Sequence, residues 1–200
     1  MKRAKRVLKG SLFFLSLFCL WACNESHGND IYPNIITELA DGITDTEGNL
    51  TKLELDNNTI LNLTNPQTGL TPNAVYRCLA GYTTNEQGTA TLRSAVSAYL
   101  LHDSTAVATT DPVAIVSAWR TPRYINFHLR PKTQGGKQTW GIIVDSIVGR
   151  HAYLRLHHRQ GTDPTAYSTN VYASLFLSDI EADDFTINIE TFSGTVSREL

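Results

Sequence analysis

From Tyr32 to the last residue, apolar side chains recur at every second position, and turn-forming residues interrupt them again and again. Ile125, Phe127 and Leu129 alternate with Tyr124, Asn126, His128 and Arg130. Ala152, Leu154 and Leu156 alternate with Tyr153, Arg155 and His157, and Phe185, Ile187 and Ile189 repeat the pattern. A period of two is that of a strand with one buried face, because successive side chains point to opposite sides of a sheet. Beyond the N-terminal leader no apolar stripe of helical period is found. The chain is therefore expected to be all-β.

The first half divides into about five short strands. Ile35–Ile43 ends in Thr44-Asp45-Thr46-Glu47-Gly48-Asn49, a turn by its residue types. Leu50–Leu55 and Thr59–Leu63 flank Asp56-Asn57-Asn58, and a longer loop carries Pro66, Gly69 and Pro72. Val75–Thr83 and Thr89–Leu101 flank Asn85-Glu86-Gln87-Gly88. Strands this short and this closely spaced suit a small OB-like barrel over residues 32–105. His102 to Asp111 is small and polar, and Pro112 cannot donate to a central ladder, so the boundary falls there.

Residues 111–200 hold about seven more strands, with turn signals at roughly the 8–12-residue spacing of a β-sandwich. At the centre, Tyr124–Arg130 is expected to turn at Gly135-Gly136 and return as Trp140-Gly-Ile-Ile-Val-Asp145, forming a long hairpin.

Lys2, Arg3, Lys5, Arg6 and Lys9 precede an apolar run from Leu12 to Leu20, the build of a secretory signal. Leu20-Trp21-Ala22-Cys23 resembles a lipobox, with residues 1–22 removed, Cys23 carrying the lipid and residues 23–31 serving as tether. Two or three acyl chains hold a protein durably on a membrane where one does not. Loss of the leader leaves 12 basic against 19 acidic residues, a net charge of −7. Such a globule is a poor partner for nucleic acid, which is bound largely by neutralising phosphates. Cys78 is then the only thiol left, so no internal disulfide can form.

Chemistry-bearing motifs are sparse. His157-His158 invites a metal reading, but neighbours on a strand face opposite ways, and solvated histidines are expected. Asp179, Glu181, Asp183 and Asp184 lack the grammar of a calcium loop and read as an acidic turn. There is no Gly-x-Ser-x-Gly elbow, Cys78 reads as an inert core thiol, and no cofactor motif occurs. The polar face of the central strand is the best candidate for binding: Tyr124, Asn126 and His128, with Arg120, Arg123 and Arg130. Aromatic and arginine side chains together are the composition of a recognition patch. Packing of this face against the barrel is the competing expectation.

Tyr32-Pro33…Thr37-Glu38-Leu39, Tyr76-Arg77-Cys78, Asp111-Pro112-Val113, Trp119-Arg120 and Arg123-Tyr124-Ile125-Asn126 resemble the NigD-like family of bacterial lipoproteins. So do Lys132-Thr133-Gln134-Gly135-Gly136-Lys137, Asp163-Pro164 and the ending Thr195-Val196-Ser197-Arg198-Glu199. The resemblance spans the mature chain. It implies an OB-like domain followed by a β-sandwich, and a lipoprotein of the outer membrane in a Gram-negative envelope. It brings no catalytic residues. The expected function is a non-enzymatic, membrane-tethered binding or accessory protein, bacteriocin immunity being one version, with a protein or a glycan as its unidentified ligand. The alternatives are an envelope hydrolase acting on glycan or peptide, and a structural subunit of a surface assembly.

Overall fold

The computed structural model describes residues 34–104 and 109–200. Cys23 and the leader therefore lie outside the described residues. Every described element is a strand except one 3₁₀ turn, Leu177–Asp179.

The first five strands are β1 (Ile36–Thr44), β2 (Leu50–Leu55), β3 (Ile60–Gln67), β4 (Val75–Thr84) and β5 (Ala90–Ser97). They close into a barrel in the order β1-β2-β3-β5-β4, with β4 returning to β1. All pairs are antiparallel except β3 with β5, which meet in parallel at Leu63 and Ala90. This is the OB-like arrangement. Its interior is filled by Ala40, Leu53, Leu55, Leu61, Leu63, Cys78, Ala80, Tyr82 and Leu92.

Two of its hairpins use one device. The Asp45 carboxylate accepts the backbone N–H of Glu47 and of Asn49. The Asn85 amide oxygen likewise accepts those of Gln87 and Thr89. Each loop then reverses on a glycine at positive φ, +79° at Gly48 and +74° at Gly88. Their surroundings differ: a Cβ on Gly48 would fall 2.2 Å from the backbone oxygen of Leu70, whereas one on Gly88 would meet nothing within 4 Å. Gly88→Ala should therefore cost only the left-handed conformation, about 1–2 kcal/mol. Gly48→Ala adds a clash with backbone and should exceed that figure in urea unfolding. Equal losses at the two sites would refute this reading.

Ten strands follow: β6 (Tyr99–Leu101), β7 (Ala114–Arg120), β8 (Tyr124–Arg130), β9 (Lys132–Thr133), β10 (Thr139–Val148), β11 (His151–Arg159), β12 (Tyr167–Ser168), β13 (Val171–Phe176), β14 (Asp184–Thr191) and β15 (Gly194–Glu199). Two four-stranded sheets run β6-β13-β8-β7 and β10-β11-β14-β15, and β9 pairs with β12 in a small ribbon. Leu101, Ile125, Phe127, Leu129, Ala173 and Leu175 from the first sheet share one core with Ile142, Leu154, Leu156, Phe185, Ile187 and Ile189 from the second. That is a sandwich.

Two expectations need correction. First, Thr89–Leu101 is not one strand: β5 stops at Ser97, and β6 joins β13 in the sandwich. Ala98, whose N–H donates to the Arg77 carbonyl, marks the change of sheet. Second, the central hairpin does not form. β8 pairs with β7 and β13, while β10 pairs with β11 in the opposite sheet. Gly135-Gly136 therefore carries the chain across the sandwich. Strand alternation shows which side chains face inward but not which strand is the neighbour.

The flanks of the small polar segment are tied to the sandwich. Ser104 N–H donates to the Ile142 carbonyl, and Asp111 N–H donates to that of His158.

Candidate functional site

The six residues of the expected patch lie in three places. Arg123, Tyr124 and Asn126 are drawn into the contact between sandwich and barrel. The Tyr124 hydroxyl donates to Asp41 at 2.8 Å, and the Asn126 amide to Asp56 at 2.7 Å. Arg123 pairs with Asp41 at 2.9 Å and Glu54 at 3.1 Å. His128 stacks on Tyr172 and bonds to Asn170, and Arg130 is exposed beyond it. Arg120 lies elsewhere, donating to the Asp183 carbonyl. Asn126 is wholly buried and Tyr124 nearly so, so neither is open to a ligand.

Arg77 holds that contact together. Its guanidinium forks onto Asp56 at 2.6 and 2.9 Å and reaches Asp41 at 3.2 Å. It also donates to Asn126 at 3.0 Å and, through Nε, to Ser174 at 2.9 Å. These are five bonds for the five donors of a guanidinium. Its plane also lies 3.9 Å from the Tyr124 ring centre. Burial opposes the charge on Arg77, but Asp56 and Asp41 outweigh it and raise its pKa above the ordinary value. Burial, together with the bond to Asp41, likewise raises the Tyr124 phenol. The signal in the sequence was a set of charges, Asp41, Asp56 and Arg77, beside otherwise core-like positions.

A different site takes shape where β9, β10, β12 and β13 converge with β6. A cleft of about 200 Å³ is walled by Tyr99, Trp140 and Tyr167, with Gln138, Thr169 and the Gly135-Gly136 backbone among its other walls. Beneath it lies Asp163, 4% exposed. Its carboxylate accepts the Thr133 hydroxyl (2.6 Å), the N–H groups of Gln134 (2.9 Å) and Gly136 (3.0 Å), and the Gln138 amide (2.7 Å). Gly136 is required here by close approach, because a Cβ would fall 2.7 Å from that carboxylate oxygen. The four donors, Thr133 first, lower the Asp163 pKa to about 2, so near neutral pH it is an ionised, fixed acceptor with no proton to give.

The Gln138 amide nitrogen also donates to the Lys132 carbonyl, leaving its oxygen to face His158 Nε2 at 3.0 Å. Both ring nitrogens of His158 thus face acceptors, Nε2 the Gln138 oxygen and Nδ1 the Asp111 carbonyl at 3.2 Å, and these two contacts fix the plane of the ring. Its ring then stacks under Trp140, centres 4.2 Å apart. The tryptophan is thus held from below by a chain running Asp163, Gln138, His158. Sequence reasoning had passed over Gln138, Trp140, Asp163 and Tyr167 as site residues. The only available cue was the sequence Gln134-Gly135-Gly136 with Asp163-Pro164.

No family model and no curated protein sequence matches the chain. Solved structures do. A NigD-like immunity protein from Bacteroides caccae superposes with a TM-score of 0.67 at 24% identity, over 84% of this chain and 93% of its own. The chain has a NigD-like fold. A toxin-related protein from Parabacteroides distasonis gives 0.67 at 18% identity, covering 84% of this chain and 92% of its own. A protein described as a lipoprotein, from Bacteroides fragilis, gives 0.56 at 12% identity, covering 83% of this chain and 96% of its own.

Within this NigD-like fold the other candidates take structural places. Cys78 is buried in the barrel, and burial pushes its thiol up to about 11, far from a nucleophile's range. Asp183 of the acidic run is engaged by Arg150. Among the described residues no three His, Cys, Asp or Glu side chains gather as metal ligands. His157 and His158 are each 1% exposed, which corrects the expectation of solvated histidines: at this part of β11 both faces are covered, although Tyr153 and Arg159 on the same strand are exposed.

Burial lowers both histidine pKa values, against the pull of Asp111. The unfolded chain therefore binds more protons than the folded one below about pH 6.5, and stability falls as pH drops through that value. Asp163 adds a second loss between the ordinary carboxylate range near 3.8 and about 2, for the same reason of sign. The urea midpoint should fall steadily from pH 7.5 to 5 and again below 4. A midpoint unchanged between pH 7.5 and 5 would contradict the histidine assignment.

Proposed function

We propose that this NigD-like chain is a lipid-anchored, non-enzymatic binding protein of the bacterial envelope, and that the Trp140 cleft is where it holds its ligand. One observation carries the reading. The cleft presents aromatic rings and uncharged polar groups, while of the two ionisable side chains beneath it Asp163 is saturated with donors and held well below the ordinary carboxylate range, and His158 is covered by the Trp140 ring and buried. Rings on a rigid, internally satisfied base are suited to holding a ligand, whereas catalysis wants a nucleophile or a base with its pKa near the working pH. The buried charges Arg77, Asp41 and Asp56 are paired with one another. The neighbours named an immunity protein, a toxin-related protein and a lipoprotein are consistent with an accessory role at the envelope. Immunity is the version in which the held ligand is a foreign toxin.

The anchor is tested by fractionation. Wild-type protein should pellet with membranes and Cys23→Ser should move to the soluble fraction. A Cys23→Ser protein that still pellets would remove the lipid from the proposal.

A further inference from the structure

We infer that the Trp140 cleft is a saccharide subsite, shaped for the apolar face and hydroxyls of a single uncharged pyranose ring; this rests on the reading of the cleft as the binding site. Four observations on the molecule converge on that chemistry.

The first is charge. The lining residues are Tyr, Trp, Gly, Thr, Gln, Pro and Val, with no charged side chain among them. A phosphate, a carboxylate or an ammonium group would enter without a counter-charge and pay its desolvation unrepaid. Asp163 does not supply one, since its oxygens are already turned to Thr133, Gln134, Gly136 and Gln138.

The second is the pairing of apolar faces with polar tips. Tyr99 is 47% and Tyr167 56% exposed, large values for aromatic side chains, and the Tyr99 and Trp140 ring centres are 6.0 Å apart at a tilt of 39°. The π-face of an aromatic ring is electron-rich and attracts the polarised C–H bonds on one face of a sugar. The indole N–H and the two phenolic hydroxyls carry the polar half of the match, as donors and acceptors for sugar hydroxyls.

The third is rigidity. Trp140 lies on His158, which Gln138 orients and Asp163 in turn fixes. A platform already ordered in the free protein loses little entropy when a ligand lands on it.

The fourth is size and edge. The cleft, about 200 Å³, is below the range of drug-sized sites and suits one ring rather than an extended chain. The backbone beside it is already paired: Thr169 N–H donates to Pro131, Ile142 N–H to His102, and Ser104 N–H to Ile142. Those groups are not open to an added peptide strand, the usual backbone route for binding an extended polypeptide.

The test uses full-length protein with saturation-transfer NMR and tryptophan fluorescence titration. The probes are methyl β-glucopyranoside, methyl α-mannopyranoside, cellobiose, N,N′-diacetylchitobiose and decaproline. At least one saccharide is expected to bind, with transfer strongest at the C–H bonds of one ring face. Tyr167→Ala and Trp140→Ala should each weaken binding at least tenfold, and Tyr153→Ala, an exposed aromatic on the opposite face of β11 and five residues before His158, should leave it unchanged. Tyr167 is exposed enough that its variant keeps the fold, so loss of binding there is not loss of structure. Saccharide binding that survives Tyr167→Ala overturns the location. Binding of decaproline alone overturns the saccharide assignment and leaves the binding reading standing. Silence from all five probes overturns the subsite and withdraws support from the binding reading at this cleft, with the Cys23→Ser fractionation still judging the anchor separately.

Discussion

Replacing Arg77 by methionine is expected to destabilise the protein by about 3–5 kcal/mol, the usual cost of removing one partner from a buried ion pair. The cause is what remains. Asp41 and Asp56 are 1% and 9% exposed, and without Arg77 the bidentate partner of Asp56 is gone. Arg123 still reaches Asp41, but nothing replaces the fork on Asp56. Asn126 and Ser174 lose a donor in the same step. Lysine should not rescue, because a single ammonium cannot span five acceptor positions in a plane. A loss of this size corresponds to a fall in Tm of about 6–20 °C for a domain of this length. The decisive measurement is a double-mutant cycle in urea with Arg77→Met and Asp56→Asn. A strong coupling is expected, the double variant being less damaged than the sum of the singles. Single and double variants that simply add would show that the network carries no shared energy. The residues joined are Asp41 and Arg77 from barrel strands, Asp56 just beyond β2, and Asn126 and Ser174 from β8 and β13, so the same loss should loosen barrel from sandwich.

Phe127→Ala is the second large effect, again about 3–5 kcal/mol, now from an apolar cavity. Phe127 is fully buried at the centre of β8, pairing with Ala118 on one side and Ala173 on the other. Two alanines as neighbours cannot reach into the space a lost ring leaves, which places the expectation at the upper end of the range. Phe127→Leu should recover more than half of the loss, since it restores most of the volume. A Phe127→Ala protein within about 1 kcal/mol of wild type would mean that the two sheets collapse onto the gap.

β8 also shows how far local pattern reaches. Ile125, Phe127 and Leu129 announce a buried face by their spacing, and the structure buries all three. Tyr124, Asn126 and His128 announce only a polar face. The barrel is acidic at Asp41 and Glu54 on its strands and at Asp56 just beyond β2, and these residues cover the first part of that face and leave the rest. Alternation of polarity cannot separate a face that is polar because water covers it from one that is polar because another set of charges does. The histidine pair on β11 fails for the same reason: polarity suggested solvent, and a second layer of structure excluded it.

The cleft was harder still to foresee. Tyr99, Trp140 and Tyr167 are widely separated in the chain and belong to three strands that pair in different sheets. Gly135-Gly136 carries the signal of a turn in either outcome, hairpin or crossover, because positive φ and a missing Cβ serve both.

Residue order alone was enough for the all-β class, the OB-like barrel followed by a sandwich, the turns at Asp45 and Asn85, and the inward-facing sets of most strands. These depend on dihedral preferences and period-two burial, which are local. Strand partners, the switch of sheet at Ala98, the Arg77 network and the stacking of Trp140 on His158 came only with the tertiary structure. Each depends on contacts between residues far apart in the chain, and those are selected by the free energy of packing the whole molecule rather than by any one segment of it.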